Sequence, residues 1–244
     1  MNNFYMKRTA LTVLMLGFAA LLGSTAGKME KEGGSIYREG VWQATAGNLE
    51  SDEFVVLIDA GHGANDSGKV GINQALEKDI NLAIANRLKV YLEAADIKAV
   101  CTRPEDDSLY DPLAPNKKMA DMKGRIKAAQ ESHADIAVSI HQNSYQDSSV
   151  CGPQLFYYNG SVEGKALAEC LQKSFDGVVG AENNRRVPKP NTDYYLLIHM
   201  PCPIVIAECG FLSNKEEAAL LITPEYQDLI AWNLAQGIIQ FINA

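Results

Sequence analysis

Short aliphatic runs alternate along the chain with longer segments whose apolar residues recur every three or four positions. Residues 54–59 (FVVLID), 97–103 (IKAVCTR), 134–144 (ADIAVSIHQNS) and 202–211 (CPIVIAECGF) have the length and β-branched character of buried strands. Residues 152–158 (GPQLFYY) are strand-like, and 194–200 (YYLLIHM) fit either a strand or a short turn. Ile80, Ile84, Leu88 and Leu92 fall at helical spacing, so 78–95 predicts an amphipathic helix. Further helices are predicted over 119–132, 164–179, 214–223 and 224–242, with Pro224 at a first helical position, where its missing N–H leaves nothing unpaired. Residues 111–118 read as a loop. Strands alternating with helices predict a single α/β domain: a twisted, mostly parallel sheet of about six strands with helices on both faces.

The N-terminus follows another pattern. Lys7 and Arg8 precede an apolar run from Ala10 to about Leu22, followed by small residues. That is the layout of a secretory signal, with cleavage near Thr25–Ala26, or of an uncleaved anchor. The run is shorter than the roughly 20 residues of a spanning helix, which favours export. Residues 27–52 are polar and aperiodic and read as a linker, so the folded domain is expected over 53–244. The chain is 47% hydrophobic, enough for a sizeable core. Its net charge of -8 argues against a nucleic-acid partner. Five cysteines, an odd number with no CxxC, exclude a zinc knuckle and read mostly as small core residues.

Candidate chemistry gathers at strand ends, where α/β sheets carry their sites. In VVLIDAGHGANDSG, residues 55–68, an apolar run ends in His62 between Gly61 and Gly63. The glycine spacing matches neither a dinucleotide nor a P-loop fingerprint. A turn with a locally bonded histidine remains one reading; His133 and His199 are placed in that class. The other is a metal site. His141 ends the 134–144 strand and Glu77 stands before the first helix, able to turn back toward His62. Two imidazoles and a carboxylate make a catalytic zinc set. Glu77 alone could serve simply as an acidic residue at a helix N-terminus. Glu208, ending an apolar strand, is a ligand, a base whose burial raises its pKa, or a partner for an arginine.

LIDAGHGANDSG, EKDINLAIANRL, SIHQNS and VIAECGFLSN, in this order and spacing, resemble the zinc-dependent N-acetylmuramoyl-L-alanine amidases of the amidase-3 type. The resemblance runs from about Phe54 to the C-terminus. It implies one Zn2+ per chain on His62, Glu77 and His141, with Glu208 as the catalytic glutamate in the pattern Glu208, Gly210, Phe211, Ser213, Asn214. Asn143 also matches, as a residue that shapes the site, and Arg125 matches a structural arginine. Ala60, Ala64 and Ser67 depart from commoner proline or glycine without removing a ligand. Gln142 and Ser144 replace smaller apolar residues, which touches the pocket lining.

Within that family, NKKMADMKGRI, GPQLFYYNG and RRVPKPNTDYYLL resemble the sporulation and germination amidases of endospore-formers. This implies hydrolysis of the amide between N-acetylmuramic acid and L-alanine of peptidoglycan, in cortex maturation leading to muramic-δ-lactam. It also implies export, to the space between the two forespore membranes. Membrane contact is expected only through an uncleaved N-terminal segment. No tandem wall-binding repeats are present, so a protein partner for targeting or activation is expected. The alternatives are a zinc peptidase of other specificity and a non-catalytic wall-binding protein on the same fold. Arg185, Arg186 and Lys189 are a basic cluster, either solvated or facing stem-peptide carboxylates.

Overall fold

The chain alternates β1 (Val55–Ala60), α1 (Glu77–Ala94), β2 (Lys98–Cys101), α2 (Lys117–Glu131) and β3 (Ile136–Asn143). It continues through β4 (Gln154–Tyr158), α3 (Val162–Ser174), β5 (Lys189–Asn191), α4 (Tyr195–His199), β6 (Ile204–Phe211), α5 (Lys215–Leu221) and α6 (Pro224–Ile242). This computed structural model describes residues 53–175 and 186–244. The expected leader, its cleavage position, the linker, residues 176–179 of the expected third helix, and Arg185 lie outside the described residues. Phe54–Ile242 form one compact unit. Among the described residues no helix is long and apolar enough to cross a membrane.

The six strands form one sheet in the order β2-β1-β3-β6-β4-β5. β1 runs parallel to β2 and β3, and β3 parallel to β6. β4 lies antiparallel to β6 and carries β5 parallel to itself. The expected α/β architecture is therefore present, with its antiparallel step at the β6–β4 junction. Leu57, Ala137, Ile204 and Ile206 point to one face and pack against Ala129 of α2 and Leu196 and Leu197 of α4. The other face is covered by α1 and α3, both packed on α6. Ile84, Leu88 and Leu92 of α1 are fully buried. Each such side chain contributes about 1.5–3 kcal/mol by leaving water.

Several boundaries differ from expectation for local reasons. α2 begins at Lys117 because the Asn116 side chain accepts a hydrogen bond from the Met119 amide at 3.0 Å and caps the helix. β2 stops at Cys101: Thr102 donates its hydroxyl to Asp59, and Arg103 turns inward. The ambiguous segment 194–200 is the short helix α4. The sixth strand is instead β5, three residues paired through Phe156–Tyr158 of β4. Of the cysteines, Cys209 alone is fully buried; the other four are half-buried, so the core role expected of most of them holds fully for one.

Candidate metal and catalytic site

β1 and β3 are neighbours, so both deliver their ends to one rim of the sheet. Glu208 on β6 lies in register beside His141 on β3. Along β6 every residue is buried except Glu208, which is partly exposed. His62 follows β1 directly, and Glu77 opens α1. The loop between them folds back: the Glu77 amide donates to the Lys69 carbonyl at 3.0 Å and the Lys78 amide to Ser67 at 3.2 Å. That return brings Glu77 under His62.

His62, Glu77 and His141 then converge, with one ligand atom of each lying within 4.8 Å of the others. Glu77 Oε2 is 3.3 Å from His62 Nε2, and Glu77 Oε1 is 3.0 Å from His141 Nδ1. The two rings stand edge to face, 4.9 Å apart. The far nitrogen of His62, Nδ1, pairs with Asp66 Oδ2 at 2.8 Å. A carboxylate on the second ring nitrogen is the arrangement that orients a ligating histidine.

Glu77 is held from behind on both oxygens. The Lys69 amide donates to Oε2 at 2.7 Å and the Gln142 amide to Oε1 at 3.0 Å. Asn81, one helical turn on, donates to Oε1 and to the Gly61 carbonyl, and accepts from the Gln142 side chain at 3.2 Å. Gln142 is buried behind Glu77, which corrects the expectation that it lines the pocket. The Asn143 side chain folds onto its own loop, accepting from the Ser144 amide at 2.8 Å.

Close backbone approach explains two of the glycines. A Cβ on Gly61 would collide with the His141 ring. Gly68 has φ +65°, and a Cβ there would lie 2.5 Å from Glu77 Oε2 and 2.6 Å from His62 Cδ2. His62 itself has φ 63°, unusual for a residue with a side chain.

Two buried arginines hold that conformation. Arg125 pairs with the buried Asp59 and donates to the carbonyls of Ala60 and His62, each at 2.9 Å. Its Nε reaches Asp121 at 2.7 Å. Arg103 donates to the carbonyls of Ala60 at 2.9 Å, Gly61 at 3.1 Å and Lys78 at 2.8 Å. Burial alone would raise the Asp59 carboxyl, but the Arg125 charge and the hydrogen bond from Ser139 hold it below its ordinary value. Sequence reasoning found Arg125 and missed Arg103, Asp59 and Asn81. The signal for Asp59 was present: a charged residue closing an apolar strand needs a buried partner.

The electrostatics follow from convergence. Burial disfavours a charged His62, yet the hydrogen bond and charge of Glu77, with Asp66, raise its pKa to about 9. Burial pushes Glu77 up, but His141 and His62 outweigh it and hold the carboxyl far down. Two imidazole nitrogens facing one carboxylate need protons or a cation between them. Two histidines and a carboxylate suit zinc, so the residues present fit that ion.

Glu208 is different. Burial, its largest influence, raises its pKa. Its Oε2 is buried with no hydrogen-bond partner, and among the described residues no arginine pairs with it. It opens with His141 onto a cavity of about 440 Å³, walled by Met119, Met122, Tyr194 and Ile206. A second cavity of about 470 Å³ begins at His62 and Glu77 and shares Lys118 and Met122 with the first. Tyr110 lines the second cavity and Asp193 the first. His133 follows the α2 C-cap, Ser132, with φ 52°, and the His199 ring lies tilted 4.2 Å from that of Tyr195; neither belongs to the cluster.

The sequence profile of N-acetylmuramoyl-L-alanine amidases matches residues 56–240. The chain is 34% identical over 190 residues to the germination-specific N-acetylmuramoyl-L-alanine amidase of Bacillus subtilis, covering 77% of this chain and 79% of that protein. Among solved structures it is similar to the CwlD amidase of Clostridioides difficile, determined in complex with the GerS lipoprotein. The identity is 36% and the TM-score 0.74, covering 78% of this chain and 98% of that one. It is also similar to the catalytic domain of CwlV from Bacillus (Paenibacillus) polymyxa, with 32% identity, a TM-score of 0.64 and coverage of 78% and 98%.

Proposed function

The chain belongs to the N-acetylmuramoyl-L-alanine amidase family, and on that premise we propose a division of labour at its site, with zinc on His62, Glu77 and His141 and proton transfer by Glu208. The bond cut joins the lactyl carbonyl of N-acetylmuramic acid to the nitrogen of L-alanine in the peptidoglycan stem. One ion per chain, bound there, supplies a Lewis acid that polarises that carbonyl, lowers the pKa of a water and offsets the charge of the oxyanion. The observation that carries the reading is the unpartnered, buried Oε2 of Glu208 beside the three-residue cluster.

Glu208 takes the proton from the attacking water and delivers it to the alanine nitrogen as the C–N bond breaks. A raised pKa suits both duties, since the group must accept a proton and then surrender it. Glu77, saturated by the Lys69 and Gln142 amides, keeps its negative charge and orientation. Asp66 fixes the His62 ring. Arg103 and Arg125 keep the loop carbonyls pointed away from the reacting groups.

The likeness to a germination-specific amidase supports action on spore cortex, with peptide removal preceding muramic-δ-lactam formation. Residues 1–26 direct export to the extracytoplasmic space between the forespore membranes, 27–52 link, and 53–244 catalyse. The structure of a similar amidase was determined in complex with a lipoprotein, which supports a protein partner here. The test incubates zinc-loaded protein with purified cortex and reads released peptides by mass spectrometry. Intact stems with a free N-terminal alanine, lost on chelation and in Glu208→Ala, are expected. Peptides cut at any other bond would replace this reading with that of a zinc peptidase.

A further inference from the structure

Four described lysines of this acidic protein sit beside a carboxylate. Lys89, Lys127 and Lys165 each face a glutamate four residues on, at 3.6, 3.5 and 3.7 Å, and Lys78 reaches Asp106 at 2.5 Å. Lys117 and Lys118 do not. They occupy the first turn of α2, where the helix already presents positive partial charge, and that turn contains no acidic residue. Asp121, four residues after Lys117, is engaged: its Oδ2 accepts from Arg125 at 2.7 Å and its Oδ1 from the Leu109 amide at 3.2 Å. Lys118 has Ala114 and Met122 at that spacing. Both lysines are exposed, and among the described residues neither has a salt bridge.

Their position gives this uncompensated charge an object. Both line the cavity that begins at His62 and Glu77, and Lys118 also lines the one that holds Glu208 and His141. Two cations, reinforced by a fifteen-residue helix, therefore join Lys69 on the lining of the His62–Glu77 cavity, where the carboxylates of Asp66 and Asp121 are engaged by His62 and Arg125. Of the two described members of the other basic cluster, Lys189 lies on β5 and lines neither cavity, and Arg186 is committed elsewhere. Arg186 donates to the Cys151 and Gly152 carbonyls at 2.6 Å and lies 5.0 Å over the Phe211 ring.

A muramyl stem peptide offers a matching anion. Its second residue is a glutamate linked through the side chain, so its α-carboxylate is free one residue past the scissile amide. We propose that Lys117 and Lys118 bind this carboxylate and make the enzyme prefer stems in which it is not amidated. The inference rests on the amidase reading and adds the part of the substrate that is read.

The test uses the full chain, zinc-loaded, and two muramyl tripeptides that differ only in carrying a carboxylate or a carboxamide at that position. Turnover gives the ratio of kcat/KM. Dissociation constants are measured on a Glu208→Gln background, independently of turnover. The expected preference for the carboxylate is about fivefold at low salt, the upper range for exposed ion pairs, residing in KM and shrinking as salt rises. Lys117→Gln/Lys118→Gln brings both ratios to about one, and Lys117→Arg/Lys118→Arg restores the preference; zinc content confirms an intact site. Equal use of the two substrates by the parent, or an unchanged preference in the glutamine variant, overturns the inference alone. Failure to cut either substrate with zinc bound removes the amidase reading, and the inference with it.

Discussion

The two sides of the site are built on opposite rules. On the β1–α1 side nearly every polar atom is engaged: Glu77 by two backbone amides, the His62 loop by Arg103 and Arg125, Asp59 by arginine and two hydroxyls. On the β6 side Glu208 faces a cavity with one buried oxygen left without a partner. Saturation fixes position, which suits residues that hold an ion. An unsatisfied carboxylate is costly to bury, and keeping one marks a group meant to exchange a proton.

Breaking the saturated side should have the largest effect on stability. Arg125→Met leaves Asp59 charged and buried, and should cost about 3–5 kcal/mol in urea unfolding. Adding Asp59→Asn should recover part of that loss, because the uncompensated charge is gone. A loss of activity in Arg125→Met with stability intact would contradict the holding role. Gly68→Ala comes next. It places a side chain at positive φ against Glu77 and His62, should cost about 1–2 kcal/mol, and should weaken zinc binding in a titration.

A smaller effect is expected from capping at the β6 side. Asn214 accepts from the Glu217 amide at 2.9 Å at the start of α5, and Asn214→Ala should cost about 1 kcal/mol in thermal unfolding. Asp59 also predicts a pH dependence. Its folded pKa lies below the ordinary 3.8, so its stabilising contribution is present above that value and is lost as pH falls further. Urea midpoints measured from pH 6 downward should fall less steeply in Asp59→Asn than in the parent. Parallel slopes would mean that Asp59 titrates alike folded and unfolded.

Legibility in the sequence followed the same division. Apolar runs ending in ionisable residues placed His62, His141 and Glu208 on one rim, because a buried strand has few reasons to end in a charge. Local pattern could not place β5, whose three residues Lys189–Asn191 have no apolar run and are strand only through pairing with β4. Tyr194 to Met200 carry no clear period, so the choice of helix there fell to packing on the sheet. Arg103 was invisible because its partners are carbonyls of Ala60, Gly61 and Lys78, brought to it only by folding. Gln142 was expected in the pocket lining because it replaces a smaller apolar residue of the family, and its place behind Glu77 depends on Asn81, which only folding brings to it.

The most direct test measures zinc content and cortex turnover together in Glu208→Gln and Glu77→Gln. The account predicts that Glu208→Gln keeps one zinc per chain and loses turnover by about 10²–10⁴-fold, the range for a proton-transfer group. Glu77→Gln should lose both. Zinc retained with parent-like turnover in Glu208→Gln, or zinc lost from it while Glu77→Gln stays loaded, would contradict the division between the residues that hold and the residue that acts.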